Sequence, residues 1–200
     1  MNTPKIDELQ MDAFRELINI GSGKAAKALG QMTSQTIEIS IPKIRTTSMA
    51  KTTEVLGAGT EVYAIHVRML GGFRGRILLC LPLVSACKLC GLLLGQEPAP
   101  DQDLPDMAES ALKEVGNILG AGVVNVLSDI MHVTTFITVP SVTRNTMEAI
   151  VKFVLDAAAL KGDCLLAETN FSTSAQGFTG QLLVLPEAQD FEALLKKLPY

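Results

Sequence analysis

The stretch Asp12-Ala13-Phe14-Arg15-Glu16-Leu17-Ile18-Asn19 recurs later in the chain as Ser110-Ala111-Leu112-Lys113-Glu114-Val115-Gly116-Asn117. Both stretches consist of Asp or Ser, three residues, Glu, two residues and Asn, and in each case a proline follows the Asn after 22 intervening residues. The same offset of 98 residues separates Glu16 from Glu114, Asn19 from Asn117 and Pro42 from Pro140. A repeat of this length is too long for a solenoid unit and indicates a duplicated half-domain.

Each stretch is predicted to lie on a helix, where residues at this spacing share one face. At about 100° per residue, Asp12, Glu16 and Asn19 form a stripe roughly 40–60° wide, and the apolar side chains point to the opposite face. The Ser, Glu and Asn of the second copy are placed in the same way. Glu and Asn on an exposed helix face are in most proteins only solvated surface. Asn is an unfavourable residue inside a helix, however, so its recurrence beside Glu in both copies indicates a function.

The composition limits the classes of protein and partner. The chain has 200 residues, of which 48% are hydrophobic, contains no Trp and carries a formal net charge of −4. A chain of this size can bury a core, and an acidic balance without a basic run argues against nucleic acid as a partner. The N-terminus lacks the apolar segment of a signal peptide. Pro82 and Lys88 interrupt the most apolar window, residues 77–94, so the sequence predicts a cytoplasmic protein without membrane insertion.

The four cysteines leave two interpretations open. Cys87 and Cys90 have the spacing of half a zinc site, but no second pair of Cys or His in the sequence completes it. Reduced cysteines in the core of a cytosolic protein are the favoured interpretation. A redox role for Cys87 and Cys90 is the alternative.

Hydrophobic periodicity predicts a similar order of elements in both halves. In the first half we expect a helix over 4–32, strands over 36–45, 55–70 and 73–81, a loop over 46–53, and a helix over 83–94. Residues 95–105, with three prolines and three acids, form the linker. In the second half we expect a helix over 105–131, strands over 133–139, 148–159 and 177–185, and a helix over 190–198. Residues 164–170, after a turn at 161–163, are a further strand or a continuation of the one before.

The last strands of the two halves also match, since the segment from Phe73 to Pro82 resembles the segment from Phe178 to Pro186. Each half, residues about 4–95 and about 105–200, therefore consists of helix, strand, strand, strand, helix. A half of this size buries little core by itself, so we expect the two to share one mostly antiparallel sheet, covered by helices, about a pseudo-twofold axis. The predicted fold is one α+β domain over residues 1–200, with the two Glu/Asn stripes on separate, equivalent surfaces.

A carboxylate and an amide can carry out a definite task together, although they make a sparse site. The carboxylate can pair with a lysine of a partner, and the amide, with one acceptor and two donors, can hold a water in line with a phosphorus atom. If the partner already carries a metal ion and a labile phosphoryl group, positioning the water is the contribution that remains to be made.

The repeated pattern resembles the signature Asp/Ser-x3-Glu-x2-Asn-x22-Pro of the CheC/CheX/FliY family of bacterial chemotaxis phosphatases. The signature is complete twice, at Asp12, Glu16, Asn19 and Pro42 and at Ser110, Glu114, Asn117 and Pro140. The resemblance covers nearly the whole chain and is strongest for the CheC members. CheX-like proteins keep one active Glu/Asn helix, and FliY-like proteins add a C-terminal flagellar-switch domain.

The resemblance implies a phosphoaspartate hydrolase that dephosphorylates the response regulator CheY. Glu16 and Glu114 would each contact the active-site lysine of the regulator, and Asn19 and Asn117 would each orient the attacking water. The Mg²⁺ would belong to the regulator, so the chain would need no cofactor of its own. Many CheC proteins also bind the receptor deamidase CheD. A non-catalytic adaptor that holds CheD or a phosphorylated receiver domain is therefore the alternative function.

Overall fold

The two repeated stretches lie on the two longest helices of the computed structural model, each 26 residues long. The structure describes residues 8–48, 57, 59–158, 163–173 and 177–197. The first half contains helix α1 (Glu8–Thr33), strands β1 (Glu38–Ser48), β2 (Glu61–Gly71) and β3 (Gly75–Pro82), and helix α2 (Leu83–Leu94). The second half contains helix α3 (Asp106–Met131), strands β4 (Thr135–Ile137) and β5 (Ser141–Thr146), helix α4 (Met147–Ala158), strands β6 (Asp163–Ser172) and β7 (Gly177–Pro186), and helix α5 (Ala188–Lys197).

The strands form one seven-stranded sheet in which every pairing is antiparallel. The strand order is β1-β6-β7-β3-β2-β4, and β5 also pairs with β2. The two strands with similar sequences, β3 and β7, are neighbours at the centre, and the first strand of each half pairs with a strand of the other half. This palindromic order is the one that a pseudo-twofold axis between β3 and β7 produces. The predicted α+β fold, with duplicated halves that share an antiparallel sheet, is confirmed.

The prediction of a strand over residues 148–159 is wrong, because residues 148–158 belong to helix α4 and residue 159 lies outside the described residues. The β-branched and aromatic residues of this segment favour a strand, but the buried side chains follow a helical period. Those side chains are Met147, Ile150, Val151 and Val154. The hydroxyl of Thr146 accepts a hydrogen bond from the backbone N–H of Ala149 at 3.3 Å, which caps the start of the helix. Helix α4 has no counterpart in the described part of the first half.

Other predicted boundaries differ by smaller amounts. The predicted strand 133–139 is only three residues long as β4, and β5 continues along β2 after Pro140. Strand β1 extends to Ser48, into the predicted loop 46–53. The predicted helix start at residue 4 and most of the predicted turn at 161–163 lie outside the described residues. None of the described helices is long and apolar enough to cross a bilayer.

The sheet is covered on both faces. Helices α1 and α3 pack on the face that carries Tyr63, Ile65 and Val67, together with α2 and α5. Helix α4 packs on the opposite face, over a smaller apolar cluster to which the sheet contributes Val62, Ala64, Leu78, Cys80, Leu166, Leu183 and Leu185. Successive side chains of a strand point to opposite faces, so β2 supplies both clusters.

Three cysteines of the described residues are buried free thiols, namely Cys80, Cys87 and Cys90. The structure does not describe the side chain of Cys164. Burial raises the pKa of the Cys90 thiol to about 12 and also raises the pKa of Cys87. Redox chemistry proceeds through an accessible thiolate, which this burial disfavours. The arrangement agrees with cysteines that serve as core residues.

Helices α1 and α3 approach each other so closely that their backbones are in contact. A Cβ atom on Gly21 would lie 2.7 Å from the carbonyl oxygen of Gly122, and one on Gly122 would lie 2.7 Å from the carbonyl oxygen of Gly21. Only glycine allows this approach. The contact holds the two helices side by side on one face of the sheet.

We expect Gly122→Ala to lower the free energy of unfolding by about 1–3 kcal/mol, because the added methyl group meets rigid backbone. Gly23→Ala on α1 is the matched control, since a Cβ there has no neighbour within 4 Å. The control should be neutral or raise stability by up to about 1 kcal/mol, because Ala is the better helix former. Urea unfolding of both variants measures the difference. Equal stability of the two variants would contradict the backbone contact.

Candidate active site

The residues of the two stripes lie on the surface, on the side of their helices that faces away from the core. Glu16 and Glu114 are exposed, and so are Asp12 and Ser110, one turn earlier. The opposite faces are buried, with Phe14 and Ile18 on α1 and Leu112 and Val115 on α3. The helical spacing therefore presents each carboxylate and the following amide on the same side.

The two glutamates carry free charges. The basic residue beside each glutamate is engaged elsewhere, since Arg15 pairs with Asp12 at 3.1 Å and Lys113 pairs with Glu109 at 2.6 Å. In the described ranges neither Glu16 nor Glu114 forms an ion pair. Each carboxylate is thus available to a cation that another molecule brings.

Both prolines of the repeated pattern mark irregular backbone next to the helices. The pairing of β1 with β6 shifts register between Ser40 and Lys43, around Pro42, and the second copy is interrupted between β4 and β5, before Ser141. Proline has no N–H to donate to a sheet, so it favours an interruption at this point. The fixed interval between Asn and Pro places the interruption beside the Asn.

In the first copy, the amide of Asn19 is bound to this irregular backbone. The backbone N–H of Ile41 donates to Asn19 Oδ1 at 2.8 Å, and Asn19 Nδ2 donates to the carbonyl oxygen of Ile41 at 3.4 Å. The side chain of Ile41 is buried, with 1% of its surface exposed. Asn19 is half-buried, and its amide already has a partner within the chain.

In the second copy, the amide of Asn117 is free. Asn117 is exposed and has no hydrogen-bond partner among the residues that the structure describes. It lines an open cleft of about 430 Å³ together with Ser110, Lys113, Glu114, Ile137, Thr138, Val139 and Pro140. Val139 occupies the position equivalent to Ile41 but has 88% of its surface exposed. The second stripe therefore presents both its carboxylate and its amide to an incoming molecule.

One difference between the copies explains the asymmetry. A Cβ on Gly116 would lie 2.3 Å from Cγ2 of Ile65 and 3.3 Å from Cβ of Pro140, so Pro140 is buried against the helix. The equivalent of Gly116 in the first copy is Ile18, which fills this space and is fully buried. Pro42 is then exposed and the residue before it is buried, the reverse of the second copy. A shift of one residue reverses which side chains face inward.

The sequence alone did not distinguish the two copies, although it contained the signal. An alignment at the 98-residue offset sets Ile18 against Gly116, and a glycine on the buried side of a helix marks close approach of another element. Within the described residues, no three His, Cys, Asp or Glu side chains come together as metal ligands. The arrangement offers a charged contact and an amide that can position a water.

Comparison with known proteins identifies related chains. A sequence model described as the CheC-like family matches residues 9–44 and 107–144, so that each match runs from a signature helix through its proline. The chain is 29% identical over 202 residues to the CheY-P phosphatase CheC of Bacillus subtilis, covering 96% of this chain and 95% of that protein. It is 30% identical over 119 residues to the flagellar motor switch phosphatase FliY of B. subtilis, covering 57% of this chain and 31% of that protein.

The fold is also similar to that of a solved structure. The crystal structure of Thermotoga maritima FliY superimposes with a TM-score of 0.75 at 20% identity, covering 96% of this chain and 98% of that chain. The similarity extends over both halves, and so over both signature helices.

The hydrogen bonds of Asn19 have a consequence for stability. Asn19→Ala leaves the N–H of the buried Ile41 without its partner, which we expect to cost about 1–3 kcal/mol of unfolding free energy. Asn117→Ala should change stability by less than about 0.5 kcal/mol, because the exposed amide has no partner in the described part of the chain. Urea unfolding of the two single variants measures both values. The same stability in both would show that the amide of Asn19 is not held by Ile41.

Proposed function

Because this chain belongs to the CheC-like family, we propose that it is a phosphatase that hydrolyses the aspartyl phosphate of a CheY-type response regulator. The proposal is supported by the B. subtilis relative, a CheY-P phosphatase that is similar over nearly its whole length. The observation that carries it is the second stripe at the edge of an open cleft, where neither Glu114 nor Asn117 has a partner within the described ranges.

The two residue types divide the task between docking and chemistry. Glu114 and Glu16 pair with the lysine of the regulator's active site, and this contact orients the helix. Asn117 and Asn19 hold the attacking water in line with the phosphorus atom. Phosphoryl transfer is accelerated mainly by positioning and by charge stabilisation, and the Mg²⁺ of the regulator supplies the charge. Such a site needs no nucleophile and no metal ion of its own.

The two sites do not contribute equally. The second site presents its amide directly, whereas Asn19 acts only after it releases the backbone of Ile41. Asp12 and Ser110 support the motif one turn before the glutamates, where Asp12 pairs with Arg15 and Ser110 lines the cleft. Pro42 and Pro140 support it by interrupting the adjoining backbone. A non-catalytic adaptor for CheD or for a phosphorylated receiver domain stays a prediction from the sequence resemblance, and no contact in the described residues favours it over the phosphatase.

The asparagines are tested by the rate at which a phosphorylated CheY-type receiver domain loses phosphate in the presence of Mg²⁺. We expect Asn117→Ala to remove most of the acceleration, Asn19→Ala to remove a smaller part, and the double variant to leave only the receiver's own rate. Asn125→Ala is the control, because Asn125 is an exposed amide about two turns further along α3.

Two outcomes of this assay would contradict the proposal. Full activity of the double variant would show that the amides do not act on the phosphoryl group. Complete loss in Asn19→Ala alone would show that the two helices form one composite site, because distant independent sites contribute additively.

The glutamates are tested by binding. Glu16→Gln together with Glu114→Gln should weaken binding to the phosphorylated receiver and make the remaining affinity less dependent on salt, because the lost contact is between charges. Glu148→Gln together with Glu192→Gln is the control, with the same change in net charge at exposed positions on α4 and α5. Calorimetric titration at two salt concentrations measures the affinity and its salt dependence for the test variant and for the control. A salt dependence like that of the unaltered protein would assign the carboxylates another role.

A further inference from the structure

Two of the six arginines of the chain have no acidic partner among the residues that the structure describes. Four pair with acids, namely Arg15 with Asp12, Arg45 with Glu168, Arg74 with Glu187 and Asp190, and Arg144 with Glu61 and Asp103. Arg68 and Arg76 form no ion pair with any residue that the structure describes.

The two unpaired arginines lie directly opposite each other. Arg68 of β2 and Arg76 of β3 are partners in the antiparallel register, so their side chains rise from the same face of the sheet. Like charges at opposing positions destabilise a sheet. Burial, and after it the charge of the nearby Arg68, lower the pKa of Arg76. An anion between the two guanidinium groups would relieve the repulsion between them.

The adjacent histidine positions one of the arginines without neutralising it. Arg76 Nη1 donates a hydrogen bond to His66 Nε2 at 3.2 Å. Burial, with the charges of Arg76 and Arg68, lowers the pKa of His66 to about 4, so the ring is uncharged at neutral pH. The guanidinium of Arg76 is therefore held in place and keeps its full charge.

The same histidine links the arginines to an apolar cavity. The cavity has a volume of about 190 Å³, and His66 forms part of its wall. Its other walls come from Ala64, Leu78, Ser141, Thr143, Asn145, Ala149, Ile150, Phe153 and Val154. Phe153 of α4 has 68% of its surface exposed. A large exposed aromatic side chain next to a cavity and a charged pair is typical of an interaction surface.

This surface lies on the side of the sheet away from the signature helices. Helix α3 packs on Ile65 and Val67 of β2, at Gly116 and Gly120. Successive side chains of a strand point to opposite faces of the sheet, so His66 and Arg68 lie on the face away from α3. A molecule bound here would leave the stripe on α3 accessible.

We propose that Arg68, Arg76 and the cavity beside His66 form a docking site for an acidic segment of a second protein. Carboxylates of the segment pair with the two guanidinium groups, which suit such forked contacts, and a neighbouring apolar side chain enters the cavity. A small oxyanion would satisfy the arginines and leave the apolar cavity unused. The proposal does not depend on the proposed phosphatase function.

The probe for this site is a capped pentapeptide with one leucine flanked on each side by two glutamates. Amide shifts of the ¹⁵N-labelled protein should change saturably at residues 64–68, 76–78 and 149–154. A peptide with glutamines in place of the glutamates should not bind, and a peptide with alanine in place of leucine should bind more weakly. Added salt should weaken binding, because the contacts are between charges.

Matched variants assign the binding to the two arginines. Arg68→Gln together with Arg76→Gln should weaken binding about tenfold or more, whereas Arg15→Gln together with Arg45→Gln, at arginines that already have partners, should not. Arg68→Lys with Arg76→Lys should be intermediate, because lysine keeps the charge but loses the fork. The glutamine variant should retain phosphatase activity, and its melting temperature should not fall, because the repulsion between the two opposed charges is lost.

Three results would overturn the proposal. The first is the absence of saturable shifts at the named residues. The second is equal binding of the acidic peptide to the Arg68→Gln, Arg76→Gln protein. The third is competition by inorganic phosphate together with no difference between the leucine and alanine peptides, since the site would then take a small oxyanion and not a protein segment.

Discussion

The depth at which helix α3 lies in the molecule depends on three of its glycines. Added Cβ atoms would lie 2.3 Å from Ile65 at Gly116, 3.2 Å from Val67 at Gly120 and 2.7 Å from the backbone of Gly21 at Gly122. Protein interiors are close-packed, so larger residues at these positions would move the helix away from both β2 and α1. This depth brings Pro140 against the helix and places Glu114 and Asn117 at the cleft, so the second site follows from the packing of the helix.

Duplication supplies two copies of one geometry, and a single pair of equivalent residues makes them different. With Ile18 in the first copy, the strand presents the backbone of Ile41 to Asn19. With Gly116 in the second copy, it presents an exposed Val139 and leaves Asn117 free. Two hydrogen bonds at about 1 kcal/mol each would reduce the population of free Asn19 roughly 30-fold. The same signature can therefore mark one site that is open and one that is restrained by its own chain.

Most of the fold could be predicted from the sequence, because it depends on periodicity and on the repeat. The stripe on each long helix follows from periodicity, and the shared antiparallel sheet follows from the repeat, whereas the central position of β3 and β7 is seen only in the structure. The strand predicted at helix α4 is wrong because the Val, Ile and Phe residues of the segment favour a strand, whereas the side chains that the fold buries, Met147, Ile150, Val151 and Val154, follow a helical period. The restraint on Asn19 depends on how a strand that begins 19 residues further along the chain lies beside the helix. Composition and spacing do not give that arrangement.

The pair formed by Arg68 and Arg76 is a second arrangement that the sequence alone does not predict. In the sequence they are two of three arginines near a glycine-rich turn, and Arg74, the third, binds two acids on the far side of β3. Only the register of β2 against β3 sets Arg68 opposite Arg76. Because successive side chains of β2 point to opposite faces of the sheet, the two arginines lie on the face away from α3. Adjacent residues of one strand thus serve two surfaces, with Ile65 and Val67 under the signature helix and His66 and Arg68 on the opposite face. Because the sheet lies between the two surfaces, charge on one face can change without altering the packing that positions Glu114 and Asn117.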